Sequence, residues 1–177
     1  MALPSFIRKL LYSKQSTAYI WQLRHKYEQT GSSVLKWYYF RKYQKLMDRN
    51  NASIPFTAEF ADMPTLPHGL SGIYISAGAK IGKACVIFHQ VTIGSNMLPG
   101  SKSQGFPTLG DNVYIGAGAK IIGNVTIGNN VRIGANCVVT TDIPDNATVV
   151  LEKPRIIVKD APQDNRFISQ AQLQRQA

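Results

Sequence analysis

The stretch Val113-Tyr114-Ile115-Gly116-Ala117-Gly118-Ala119-Lys120-Ile121-Ile122-Gly123-Asn124-Val125-Thr126-Ile127-Gly128 decides the fold. Isoleucine recurs in it every six residues, at Ile115, Ile121 and Ile127, and a small or β-branched residue stands two places before each, at Val113, Ala119 and Val125. Glycine follows two of the three, as Gly116 and Gly128. Outward from this core the hexad continues through Ile133 and Val139, begins at Leu109, and has an earlier run at Ile75, Ile81, Ile87 and Ile93. Ala79, Cys85, Val91, Val131 and Cys137 fill the small slot, and Gly82, Gly94, Gly110 and Gly134 follow the apolar one. A period of six fits neither the three-to-four spacing of an amphipathic helix nor the alternation of a hairpin. It is the period of a β-helix, in which each short strand is one side of a coil. The repeat predicts a mainly β protein, coiled from about Gly72 to Val150.

A length of 177 residues allows one domain with an appendage or two small units. The longest apolar runs fall well short of a membrane span. Residues 1–11 have no secretory pattern, because Arg8 and Lys9 interrupt the apolar stretch. The expected location is the cytoplasm. Cys85 and Cys137 both occupy the small slot, so they read as buried thiols packed as small apolar groups. Two cysteines make no disulfide framework, and a catalytic thiol would need exposure and a neighbouring base that the repeat does not supply.

The net charge of +10 is concentrated at one end: residues 1–50 hold ten Lys or Arg against Glu28 and Asp48, which is +8 of the total. Residues 3–50 read as helical, with apolar residues at three- and four-residue spacing in Phe6–Ile7–Leu10–Leu11, Tyr19–Ile20–Leu23 and Val34–Leu35–Tyr38–Tyr39. Ser32 and Ser33 are candidate caps for a helix that begins near Val34. This basic segment is rich in aromatics (Trp21, Trp37, Tyr38, Tyr39, Phe40). One reading rests it on anionic lipid at the inner face of the membrane, with rings at headgroup level and cations on phosphates. The other packs it on the coil and on partner subunits. No nucleic-acid-binding motif accompanies the charge. A segment with Pro55, Pro64 and Pro67 follows. The organisation expected is a helical segment over 1–65, a β-helix over 66–158 and a polar tail over 159–177.

Ile93 and Leu109 are 16 residues apart where the repeat gives 6, so ten residues are inserted. The inserted stretch, about Asn96 to Pro107, is polar and rich in Gly, Ser and Pro, and reads as a flexible loop on a stiff scaffold, a usual place for substrate contact. Several stretches now combine: His68-Gly69-Leu70-Ser71-Gly72-Ile73, Ala79-Lys80-Ile81-Gly82, Gln90-Val91-Thr92-Ile93-Gly94, Pro107-Thr108-Leu109-Gly110 and Gly116-Ala117-Gly118-Ala119-Lys120-Ile121. Over about residues 66–158 this order resembles the serine-acetyltransferase branch of the hexapeptide-repeat acyltransferases, and within it the short enzymes of polysaccharide gene clusters.

The resemblance implies a left-handed parallel β-helix of triangular section, a homotrimer with active sites between subunits, and acetyl-CoA as donor. It implies that the pantetheine arm runs past the Gly116–Ala117 turn towards Lys120, with Thr108 also at the cofactor. It implies a hydroxyl acceptor.

Acetyl transfer from a thioester to an alcohol needs a base, and imidazole titrates near neutrality. The chain has three histidines. His25, in the basic segment, reads as surface. His68 falls where the resembled family has its catalytic base, and His89 sits on the coil just before the loop. The expectation is His68 as general base, with His89 as a second catalytic candidate, and backbone N–H groups for the oxyanion.

Three departures from the family stand out, and the first bears on the acceptor. The family's second loop histidine is here Phe106; the acidic residue that commonly precedes the base is Pro67, leaving Asp62 to orient it; and the terminal Gly-Asn-Pro turn reads Glu152-Lys153-Pro154. Phe106 at the loop mouth would suit stacking on a sugar ring. The leading expectation is therefore O-acetylation of a sugar hydroxyl in surface or capsular polysaccharide biosynthesis, with a small-molecule or glycan acceptor. The runner-up is serine O-acetylation for cysteine biosynthesis. A β-helical zinc enzyme would need three converging imidazoles, and only His68 and His89 are in or beside the coil, so no metal is expected.

Overall fold

The computed structural model describes residues 5–166 and Gln174, with side chains described from residue 17 onward. The apolar spacing expected at Phe6, Ile7, Leu10 and Leu11 lies outside the described side chains, and most of the tail beyond residue 166 lies outside the described residues.

Two helices come first, α1 (Ser5–Gln29) and α2 (Ser33–Arg49). Ser32 caps α2, its Oγ accepting from the Leu35 amide at 3.5 Å. A prism follows, up to about residue 149. Its strands are β1 (Glu59–Phe60), β2 (Tyr74–Ile75), β3 (Lys80–Ile81), β4 (Val86–Ile87), β5 (Thr92–Gly94), β6 (Thr108–Leu109), β7 (Tyr114–Ile115), β8 (Lys120–Ile122), β9 (Thr126–Ile127), β10 (Arg132–Ile133), β11 (Val138–Val139) and β12 (Thr148–Val149). They stack, all parallel, as three four-stranded sheets: a first wall β2-β5-β8-β11, a second β1-β3-β6-β9 and a third β4-β7-β10-β12. The chain visits the walls in rotation, one per hexad, and the result is a left-handed triangular prism.

The repeat explains this directly. In each strand pair one residue points in and its neighbour points out, so the apolar residue of each hexad stacks on its counterpart one coil away. Ile75, Ile93, Ile121 and Val139 form one such column, and Ile87, Ile115 and Ile133 another. All are buried, as are the small-slot residues Ala79, Cys85, Val91, Val113, Ala119, Val125, Val131 and Cys137. Full burial of each isoleucine is worth about 2–3 kcal/mol. Burial pushes the Cys85 thiol above its ordinary pKa, in keeping with an inert packed sulfur. The glycine after the apolar residue lets coils approach: a Cβ on Gly110 would come within 2.9 Å of the Gly128 carbonyl carbon. At the edge between the second and third walls, Asn112, Asn130 and Asn146 adopt positive φ and link side chain to side chain at 2.9 and 3.1 Å.

The prism opens earlier than the glycine-marked hexads. Ser53 bridges to Tyr74, β1 pairs with β3, and Thr65 bridges to Val86, so residues 53–65 are a complete first coil. Ile54, Phe60 and Leu66 are its apolar hexad, six apart, with Ala52, Ala58 and Pro64 two places before them. From Leu66 to Ile75 the step is nine, three more than the repeat. That excess corner carries His68.

The helices pack on this first coil. Ile20, Leu23, Tyr43 and Met47 are buried in one continuous core with the prism. Arg24 is only 8 % exposed, and its guanidinium donates to the carbonyls of Pro55 (3.0 Å), Phe56 (2.7 Å) and Ala58 (2.6 Å) while pairing with Glu28 at 3.1 Å. The Tyr43 hydroxyl donates to the Ile54 carbonyl at 2.6 Å, and burial pushes its pKa up to about 12. The basic segment is thus docked on the coil through its inner face. Its outer face keeps Val34, Trp37 and Tyr38 exposed, with the Lys42 ammonium 4.9 Å from the Tyr38 ring. Among the described residues no helix is long and apolar enough to cross a membrane.

Candidate active site

The corners between the third and first walls stack into one edge of the prism, and both coil-associated histidines sit on it. His68 occupies the three-residue excess between Leu66 and Ile75, and His89 the regular corner one coil on, between β4 and β5. The longer corner carries the His68 ring across to its neighbour. The two Nδ1 atoms are 2.8 Å apart, with ring centroids separated by 4.8 Å and planes inclined at 35°. Phe88 meets His68 edge-on, centroids 5.3 Å apart, and itself packs on Tyr114 at 5.2 Å.

The backbone beneath His89 is fixed from both sides. Its carbonyl accepts from the Gly118 amide at 3.0 Å, and the Gln90 amide donates to the Ser71 carbonyl at 2.8 Å with Gln90 at φ 60°. The next corner on the same edge is Gly116-Ala117-Gly118. Gly118 has φ +72°, and its missing Cβ leaves room for the Asn136 side chain. Gly116 is buried, and a Cβ there would approach the Ala135 amide nitrogen to 2.6 Å, so coil stacking alone requires glycine at this point. Lys120 reaches back to the same corner, its Nζ donating to the Gln90 carbonyl at 2.6 Å. His68, His89, Ala117 and Lys120 therefore share one edge.

Other candidates lie elsewhere. The loop leaves from the edge between the first and second walls, so Phe106 and Thr108 are on a different edge from the imidazoles within one chain. Asp62 accepts from the Met63 amide at 2.7 Å, and the partner of the His68 ring is His89. His25 is exposed on α1, beside a hollow lined also by Trp21, Glu28 and Glu59.

The loop differs from the flexible segment that its composition predicts. Asn96 and Gly105 exchange backbone hydrogen bonds at 2.9 and 2.8 Å, the Asn96 amide group donates to Ser101 Oγ at 2.7 Å, and the Ser103 carbonyl accepts from the Asn124 amide at 2.8 Å. Asparagine and serine serve here as internal ties. Phe106 lies against Gly78, where a Cβ would come within 2.7 Å of its ring, so part of the aromatic surface expected to receive a sugar is spent on the scaffold. The residues that sequence reasoning missed are Phe88, which packs on His68, and Tyr114, which packs on Phe88. Phe88 had a signal: it follows Ile87 in the slot that glycine fills at Gly82, Gly94, Gly110 and Gly116.

Residues 106–141 match the family model for the bacterial transferase hexapeptide (six repeats). The chain is 41% identical over 95 residues to the serine acetyltransferase of Helicobacter pylori, covering 54% of each, and 41% identical over 92 residues to that of Mycobacterium tuberculosis, covering 52% of this chain and 39% of the relative. It spans about half the length of the first of these curated relatives and 39% of the second. Among solved structures, serine acetyltransferase isoform 3 of Entamoeba histolytica in complex with cysteine matches with a TM-score of 0.65 at 30% identity, over 82% of this chain and 51% of that one. The Neisseria gonorrhoeae serine acetyltransferase in complex with serine matches with a TM-score of 0.59 at 28% identity, over 80% and 55%. The two structural matches cover more of the chain than prism and tail together, so they take in part of the helical segment.

The expectation of a sugar hydroxyl in polysaccharide biosynthesis is corrected by these findings. The relatives are serine acetyltransferases, two of the solved ones holding serine or cysteine. Phe106, the residue that suggested a sugar, rests partly on Gly78.

Proposed function

We propose that this chain, a hexapeptide-repeat protein of the serine-acetyltransferase-like branch, moves the acetyl group of acetyl-CoA onto the hydroxyl of serine. The observation that carries the reading is the His68–His89 pair, 2.8 Å apart on the prism edge that also bears Ala117 and Lys120.

His68 takes the hydroxyl proton as the serine oxygen attacks the thioester carbonyl. The O–C bond forms, the tetrahedral intermediate collapses, the C–S bond breaks, and the imidazolium returns the proton to the departing thiolate. A general base of this kind supplies about 10²–10⁴ in rate. The CoA arm follows the corner of Gly116 and Ala117 towards Lys120. Thr108 and Phe106 can join the imidazoles only from another copy, because they leave the prism on a different edge. That separation supports a homotrimer in which the loop edge of one chain faces the imidazole edge of the next. A cytoplasmic location goes with the reading, since acetyl-CoA and serine are both supplied there.

The test is thiol release from acetyl-CoA by the purified chain. Release that depends on serine, and not on a panel of free sugars, is the expected result. Release that ignores serine would overturn the reading.

A further inference from the structure

We infer that His89 is the positioning residue of His68: a neutral imidazole here takes the place of an orienting carboxylate and holds the base in one tautomer. The inference rests on the acetyl-transfer reading above and goes beyond it by dividing the two histidines into base and orienter.

Proton counting leads to it. A neutral imidazole has one N–H and one bare nitrogen, whereas imidazolium has two N–H groups. Two Nδ1 atoms at 2.8 Å form a hydrogen bond only when one proton lies between them, so one ring is the Nδ1–H donor and the other the bare Nδ1 acceptor. A ring that donates through Nδ1 has its bare nitrogen at Nε2, free to take a proton from a substrate. The accepting ring carries its proton on Nε2 and cannot act as base there. The contact therefore makes the two histidines unequal.

Their surroundings decide which is which. His68 stands on the excess corner and is exposed, with the Phe88 edge on one side and His89 on another. His89 is half-buried, and its backbone is tied by the Gly118 amide to its carbonyl and by the Gln90 amide to Ser71. The ring on the fixed backbone is suited to hold, and the ring that reaches outward is suited to react. His68 is then the Nδ1–H tautomer with Nε2 bare, and His89 the Nε2–H tautomer with Nδ1 accepting. The acid named from sequence, Asp62, accepts from the Met63 amide.

Two measurements on the full chain test this. The first is ¹⁵N-detected NMR of the histidine rings in the parent protein, which reads tautomers without reference to activity. The expected result is bare Nε2 on His68 and bare Nδ1 on His89; the reverse pair, or two rings of one tautomer, would overturn the assignment. The second is a kinetic comparison of His89→Ala, His89→Asn, His68→Ala and His68→Asn with serine and acetyl-CoA. Asparagine carries its amide oxygen on Cγ, where histidine carries Nδ1, so it can accept the same bond but cannot serve as base. His89→Ala should lower kcat about 10- to 100-fold with KM changed less than about threefold, and His89→Asn should return kcat to within about fivefold of the parent. Both His68 variants should lose about 10³-fold or more. Asparagine no better than alanine at position 89, or asparagine tolerated at 68 and not at 89, would overturn the division of roles. Should serine fail as acceptor while the tautomers come out as expected, the serine reading falls and the pairing stands.

Discussion

The prism and the helical segment that sits on its first coil hold together in opposite ways. In the prism every coil repeats one device: an apolar residue stacked on its copy, a small residue two places before it and often a glycine after it. In the helical segment the polar attachment rests on two side chains, the Arg24 guanidinium on three carbonyls and the Tyr43 hydroxyl on a fourth, beside the buried Ile20, Leu23 and Met47. A repeated device distributes stability along the axis, whereas two anchors concentrate it in a few side chains. Replacing one residue should therefore spread through the stack in the first case and release a whole element in the second.

The largest effect should come from the stack. Ile115 is fully buried between Ile87 and Ile133, whose spacing is fixed by the sheet, so the site cannot collapse around a smaller residue. Ile115→Ala should cost about 4 kcal/mol of unfolding free energy, measured by chemical denaturation. A loss below about 2 kcal/mol would mean that the coils yield more than their ladder implies. Next comes Arg24→Ala, which leaves the carbonyls of Pro55, Phe56 and Ala58 without their donor and should cost about 2–4 kcal/mol. Hydrogen exchange should show protection lost in α1 and α2 and kept in β7 to β10. Equal loss in both regions would break the contrast.

Tyr43 sharpens it further. Only the neutral phenol can donate to Ile54, and its folded pKa of about 12 lies above the ordinary value of 10.0. A raised pKa means stability that is complete below pH 10 and lost as pH rises through 12, amounting to about 3 kcal/mol. Tyr43→Phe should flatten that alkaline decline in a pH series of thermal melts, and an unchanged slope would contradict the anchor. The smallest signal is chemical. Cys85 and Cys137 are buried in the stack, so a thiol reagent should find neither in the native protein and both after denaturation. Rapid native labelling of either would mean that a corner opens.

What was legible in the sequence follows the same division. Repetition made the coil from Ile75 to Val139 readable, because each slot is confirmed by the ones before and after it. The first coil uses the same slots, at Ile54, Phe60 and Leu66, but proline and the absence of glycine disguise them, and its inner face is shared with helices. The candidate base was readable only through the resembled motif at His68. Its pairing with His89 was not, because it depends on a corner three residues too long, which a hexad count treats as a break. The acceptor was misread for a local reason: an aromatic at the loop mouth does not name its ligand in sequence, and Phe106, which touches the scaffold at Gly78 and keeps 37 % of its surface exposed, does not single out a sugar.

In the proposed reaction His68, an imidazole of the prism, deprotonates a serine hydroxyl beside an acetyl thioester. Serine-dependent thiol release from acetyl-CoA, compared between the parent chain and a folded His68→Ala variant, tests it most directly. Turnover is expected in the parent, with a fall of about 10³-fold or more in the variant; equal rates in the two proteins would contradict the role of His68.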